Sequence, residues 1–285
     1  MLNVFPATDV ALEGFRLTRE NPRSVAVWAC IRAAYALLVL LLINRFAGDQ
    51  LTGFLAAIKN VHNLAELSAK AAPLTQMFLA LAPVDLALQS VLAAACFRTI
   101  LGPKGTGRFQ LGVGLDELRL FALNTLAIMA TFVALTVALA FGDVIATFAV
   151  SAGPLGALLQ AFYSSGVFCL GLYVALRLSL APALTFALGR FAIRESWTAT
   201  EGRTLPLAGA YLMAGGLAVL VYVLGLVIGA STEAIDAKAA SNWVSWGALV
   251  SAAWMAGVGE LIAIIVTAPG AVASRLFAPR AVDRV

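Results

Sequence analysis

The sequence predicts an all-α polytopic membrane protein with six transmembrane helices. Three observations carry this. Of the 285 residues, 61% are hydrophobic and 12% charged, against about 45–50% apolar and about 25% charged in soluble domains. Six runs reach the ~20 apolar residues that a helix needs to cross a bilayer. Lysine and arginine concentrate in alternate connections between those runs, as membrane orientation requires. No polar stretch is long enough to fold as a soluble unit, so residues 1–285 read as one integral membrane domain.

The predicted spans are 24–44, 73–97, 118–141, 154–176, 205–229 and 243–267. Asn21-Pro22 before the first suits a helix start, with a side-chain cap and a proline whose missing N–H costs nothing there. Pro83 is expected to kink the second, and Pro269 to close the sixth. Between the first two spans, Leu51, Phe54, Leu55, Ile58, Val61 and Ala65 recur at helical spacing, with Lys59, Asn60, Asn63 and Glu66 on the other face. That pattern predicts a short amphipathic helix lying on the outer membrane surface. On the inner side, Leu184, Leu188 and Phe191 line one face beside Arg190, Arg194 and Glu195, and residues 15–20 and 116–119 look like shorter versions. Together these suggest three repeats of a cytoplasmic collar followed by a helix hairpin, with the pieces around Phe15, Phe121 and Trp197 equivalent.

Of the 19 basic residues, the N-terminal tail, the connections after spans two and four and the C-terminal tail hold fourteen; the other connections hold four, and Arg32 lies inside the first span. The positive-inside rule then places both termini in the cytoplasm. The net charge of +4 does not point to nucleic acid, because no Lys/Arg cluster is interleaved with aromatics. The N-terminal 23 residues do not read as a secretory signal, lacking an early apolar core and a small-residue cleavage pattern.

Cys30, Cys96 and Cys169 lie in or beside apolar runs without CxxC spacing and read as small buried residues. The single histidine, His62, falls in the outer amphipathic segment. One histidine excludes a bis-histidine haem or an HExxH zinc site within one chain, so no cofactor, metal or catalytic residue is expected. Residues 102–107 are glycine-rich but lack the order of a phosphate-binding loop and read as a turn. Gly225 and Gly229, with Ala253 and Gly257, are read as small-residue helix contacts. Trp243 and Trp246 fit an outer aromatic belt, and Trp254 the core or the lipid face.

The positive signal is a set of polar residues inside the spans, which are costly there unless paired or functional. Arg32 lies 8 residues from the inner end of the first span and Glu260 lies 7 from the inner end of the sixth. At ~1.5 Å per residue both sit roughly 11–12 Å above the cytoplasmic edge, and Asn124 shares that layer. Asp85 is nearer mid-bilayer, two residues after Pro83. Arg32 pairs with Glu260 or with Asp85 as structural glue, or Arg32, Asp85, Asn124 and Glu260 surround a polar cavity.

Several stretches resemble a known group. Arg177-Leu178-Ser179-Leu180-Ala181-Pro182-Ala183, followed by Ser196-Trp197-Thr198-Ala199-Thr200-Glu201-Gly202, is similar to a signature of a bacterial membrane-protein group. That group includes the membrane domain of glycerophosphoryl diester phosphodiesterases and stand-alone proteins of unassigned function. The stretch from Phe97-Arg98 through Leu115-Asp116-Glu117-Leu118-Arg119, and Ala268-Pro269-Gly270-Ala271, match further habits of the group. The resemblance implies a bacterial inner-membrane protein and carries no catalytic residue across, because the phosphodiester chemistry belongs to a separate soluble domain.

The functional expectation is a non-enzymatic scaffold or modulator of inner-membrane components, in contact with membrane lipids and other inner-membrane proteins. The alternative is a small permease or lipid-handling protein with an inner-leaflet polar cavity. An intramembrane enzyme is disfavoured by the lone histidine and the lack of a carboxylate cluster.

Overall fold

The computed structural model describes residues 6–59, 64–102, 108–236 and 246–277. These form helices α1 (Ala7–Glu20), α2 (Pro22–Lys59), α3 (Leu64–Leu101), α4 (Leu115–Ala152), α5 (Pro154–Leu178), α6 (Ala181–Leu188), α7 (Ile193–Ala199), α8 (Thr204–Asp236) and α9 (Trp246–Phe277), with a 3-10 turn at Arg108–Gln110. No strand occurs among the described residues. Six spans are long and apolar enough to cross a membrane: Pro22–Leu51, Ala71–Leu101, Leu115–Val150, Pro154–Leu188, Thr204–Ser231 and Trp246–Phe277. The chain is an all-α, six-span membrane protein. His62, Trp243 and residues 103–107, singled out above, lie outside the described residues.

Three boundaries differ from the sequence expectation. Residues 51–59 do not form a separate surface helix: they continue α2, and Leu64 already belongs to α3. No proline interrupts α2 after Pro22, so its hydrogen-bond ladder has no reason to stop at the edge of the apolar run. With 38 residues each, α2, α3 and α4 are about 57 Å long at ~1.5 Å per residue, well beyond the ~30 Å hydrocarbon core. Pro269 does not close the last helix, which runs on to Phe277. Residues 268–271 are buried, and packing holds a turn that proline alone would weaken. The short segment at 116–119 is the first turn of α4 rather than a separate element.

The collar pieces also differ from one another. A 14-residue helix precedes the first hairpin, the 3-10 turn the second, and helices of eight and seven residues the third. The expected threefold equivalence has no counterpart in their secondary structure.

α9 is the hub and touches α1, α2, α3, α6 and α8. The core sits at the collar end, where Trp28, Phe97, Leu120, Leu180, Leu184, Leu207 and Ile264 are fully buried or nearly so. Toward the other end α4 and α5 pack on each other, with Tyr163 Oη donating to the Ala138 carbonyl, and Phe132, Phe148, Phe162 and Phe168 are about 70% exposed, as suits side chains facing lipid. Gly153 makes their turn with φ +58°, a backbone region that disfavours residues bearing a Cβ, and Pro154 then starts α5. Cys30 and Cys169 lie on exposed helix faces; only Cys96 is buried. Of the small residues read as helix contacts, Gly225 packs on Val258 and Gly229 on Ser251 and Met255 of α9, while Gly257 faces Ala29 of α2; Trp254 Nε1 donates to the Gly225 carbonyl at 3.0 Å.

α1 is an amphipathic helix that lays Val10, Ala11, Gly14 and Leu17 inward, against α8 and α9. A Cβ on Gly14 would stand 2.6 Å from the Ile265 Cα of α9, an approach that backbone cannot yield to. Gly14→Ala is expected to lower stability by about 1–3 kcal/mol, the usual cost of overpacking. Gly209→Ala, where nothing lies within 4 Å, is the control. Thermal unfolding of the two variants in detergent checks this, and equal midpoints refute it.

Candidate functional site

The site begins with Arg32 on α2. Its Nη1 donates to Asp85 Oδ1 on α3 at 2.8 Å. Of the two pairings left open by the sequence, the structure makes this one. Both side chains keep some exposure, 27% and 40%, because they border open space. α2 also packs on α9, and the Arg32 charge acts on Glu260. Glu260 is only 5% exposed, yet no protein donor hydrogen-bonds to it among the described residues. Asn124 on α4 is held by a short relay: its Nδ2 donates to Ser90 Oγ at 3.2 Å, and Ser90 Oγ donates to the Leu86 carbonyl at 2.8 Å.

Two cavities meet here. One of about 310 Å³ lies toward the collar and is lined by Arg32, Asn124 and Glu260 together with Gln89, Cys96 and Tyr211. A second, of about 640 Å³, runs the other way between α2, α3 and α9, with Tyr35, Phe78 and Met255 in its wall beside Asp85. Arg32 and Gly259 border both. Three of the four candidate residues thus share one cavity, and Asp85 faces the other across the ion pair. Gln89, Ser179 and Tyr211 were missed as lining groups. Neither glutamine nor tyrosine stands out in an apolar run as an ion does, and Ser179 lies in a break between α5 and α6 that hydropathy does not mark. Gly270 makes room for the Tyr211 hydroxyl, which would stand 2.9 Å from a Cβ placed there.

The motif residues behind the resemblance have a different task. Arg177, at the end of α5 and 8% exposed, donates from Nε to Tyr173 Oη at 3.0 Å and from Nη1 to the Trp197 carbonyl at 3.0 Å. Its guanidinium lies 4.7 Å from the Trp197 ring centroid and 5.4 Å from that of Tyr173, within cation–π range. Ser196 Oγ returns a bond to the Arg177 carbonyl at 2.8 Å, and Thr200 Oγ1 donates to the Ser196 carbonyl at 2.9 Å. The arginine and the Ser-Trp-x-x-Thr stretch therefore lock α7 onto the end of α5. A second arginine does the same for the other collar connection. Arg98 pairs with the buried Glu117 and donates to the Gln110 carbonyl at 3.0 Å, while Trp28 Nε1 donates to the Phe109 carbonyl at 3.0 Å. Phe109 and Gln110 have φ of 61° and 56°, a left-handed turn uncommon for such residues; these two donors satisfy its carbonyls.

Among the described residues no three His, Cys, Asp or Glu side chains gather as metal ligands would. Compared with protein-family models, curated proteins and solved structures, the chain matches none.

Two outcomes follow. Arg177→Lys keeps the charge but not the planar fork that reaches Tyr173 and Trp197 together; a loss of about 2 kcal/mol is expected, in the range of hydrogen bonds to a charged group. Circular dichroism melts should show it, and an unchanged midpoint would remove the locking role. At the cavity, Arg32→Gln should destabilise more than Asp85→Asn, because it leaves two carboxylates unanswered rather than one cation with a second carboxylate near it. The cost of Asp85→Asn is about 1–2 kcal/mol, below the about 3–5 kcal/mol of a fully buried pair, since both side chains touch open space. Urea unfolding of the two variants decides the order.

Proposed function

We propose that this protein is a small permease or lipid-handling protein of a bacterial inner membrane, working through the cavity bordered by Arg32, Asn124 and Glu260. The supporting observation is the cavity itself. At about 310 Å³ it falls at the small end of ligand sites, about 300–1,000 Å³, which pair apolar walls with a few convergent polar groups. Arg32 is fixed by Asp85 and Asn124 by Ser90, so the polar groups are held in place before any ligand arrives. In this reading the ligand is bound and passed on unchanged, without cofactor or catalytic residue. Both termini face the cytoplasm, because the end carrying α1, the 3-10 turn, α6 and α7 is the end where the basic residues gather. The resemblance to the membrane domain of glycerophosphoryl diester phosphodiesterases fits the same placement and adds no chemistry.

A scaffold or modulator that contacts other inner-membrane proteins remains the second reading. The exposed outer parts of α4 and α5 favour it, since this hairpin offers more free surface than the rest of the bundle.

Cys96 lines the cavity and serves as a native reporter. In Cys30→Ser/Cys169→Ser protein held in lipid nanodiscs, methyl methanethiosulfonate is expected to modify Cys96, read by intact mass. Ala263→Trp, which fills the cavity from α9, should slow that reaction. A Cys96 that stays inert in the folded protein and reacts only after denaturation would sink the cavity reading.

A further inference from the structure

The charges around the inner cavity do not balance. Three ionisable side chains stand at the level where the two cavities meet: Arg32 from α2, Asp85 from α3 and Glu260 from α9. One guanidinium faces two carboxylates. Asp85 takes it directly, at 2.8 Å. Among the described residues Glu260 makes no ion pair and accepts no hydrogen bond from the protein, and Arg32 acts on it only at longer range. It is nonetheless 95% buried, being 5% exposed. Burying a carboxylate without a partner is costly, more so within a membrane, so a carboxyl placed there either holds a proton or meets a cation. The remaining groups that line this cavity from α3, α4 and α8 are uncharged: Gln89, Asn124 and Tyr211 among them. None supplies the missing positive charge.

The rest of the lining fits the same deficit. Asn124 spends one of its two amide N–H groups on Ser90, and its carbonyl oxygen remains as an acceptor for a ligand's N–H. Tyr211 and Phe97 bring aromatic rings to the wall, and ring faces attract cations. An anionic ligand would meet Glu260 while the only cation is held by Asp85. A metal ion would find one carboxylate and largely apolar walls. An ammonium group on an apolar body is the ligand whose charge, donors and surface all match.

We propose that the inner cavity binds an organic ammonium compound, with Glu260 as its counter-ion and the Arg32–Asp85 pair as a fixed neutral wall. This rests on the cavity reading above and adds the class of ligand to it.

Three indoles of similar shape and different charge test the proposal: tryptamine, the neutral 3-(2-hydroxyethyl)indole and indole-3-acetate. Each is titrated calorimetrically into the protein in nanodiscs of zwitterionic lipid, with empty nanodiscs subtracted. Tryptamine is expected to bind saturably and at least about tenfold more tightly than either other compound, a difference of about 1.4 kcal/mol. Glu260→Gln should erase that preference and Glu260→Asp should retain part of it, both with wild-type circular dichroism. The comparison of the three ligands on the unsubstituted protein stands even if a variant misfolds. Equal binding of the neutral indole, or tighter binding of indole-3-acetate, overturns the ammonium class and leaves the cavity reading intact. No binding of any of the three while Cys96 is still modified has the same consequence. No binding together with an inert Cys96 overturns both.

Discussion

Hydrocarbon offers a charged side chain no water, so each ion that enters the bundle has to be answered by the protein itself. The whole collar end is organised by that constraint. Arg177 is answered by a tyrosine hydroxyl, a backbone carbonyl and two aromatic faces; Arg98 is answered by Glu117 and a carbonyl that the turn at Phe109–Gln110 turns toward it. In each case one long, forked side chain ties a connecting segment to the helix that carries it. Short apolar collars have little area of their own to bury, so these polar ties set where α7 and the 3-10 turn sit. The core residues Leu120, Leu180 and Leu184 can then close over them.

The same constraint separates the two halves of the molecule. Near the collar, packing is dense enough that Gly14 has to be a glycine against Ile265, and α9 is surrounded on most sides. Farther out the helices are ordinary apolar rods: α4 and α5 pack on each other, and their phenylalanines lie open. Lipid is as apolar as leucine, so no hydrophobic force draws these segments inward. The cavity toward the collar lies where Arg32, Asn124 and Glu260 come together between α2, α4 and α9.

What was legible in the sequence follows from the kind of signal each feature sends. Six apolar runs and their basic flanks are long-range and additive, so the spans could be read directly. The residues Arg32, Asp85 and Glu260 could be read as candidates because an ion in an apolar run is conspicuous, and helical rise placed Asn124 in the layer of Arg32 and Glu260. Which carboxylate Arg32 takes could not, because it depends on the rotation of α2, α3 and α9 about their axes, which hydropathy leaves undetermined. Helix ends were misplaced where apolarity and helicity part company. Residues 51–59 lose their hydrophobicity but meet no breaker, and Pro269 is a breaker overruled by packing on every side. The carbonyls of Phe109 and Gln110 are backbone groups and left no trace in the side-chain pattern.

Several of the residues that made the sequence look familiar are spent on holding the fold. Arg177, Ser196, Trp197 and Thr200 close on one another, Arg98 and Glu117 do likewise, and Ala268, Pro269, Gly270 and Ala271 are buried between helices. A motif of that kind constrains architecture and is silent on chemistry: two proteins can share the lock and bind different things. Glu260, a deep carboxyl with no close partner among the described residues, lies outside every motif. A carboxyl buried on a helix as closely packed as α9 either takes up a proton or meets a cation, and a cation from outside the protein reaches it through the space that Arg32 and Asn124 border. Function in this bundle is therefore to be sought where the fold's own bonding is incomplete, rather than where its sequence is most recognisable.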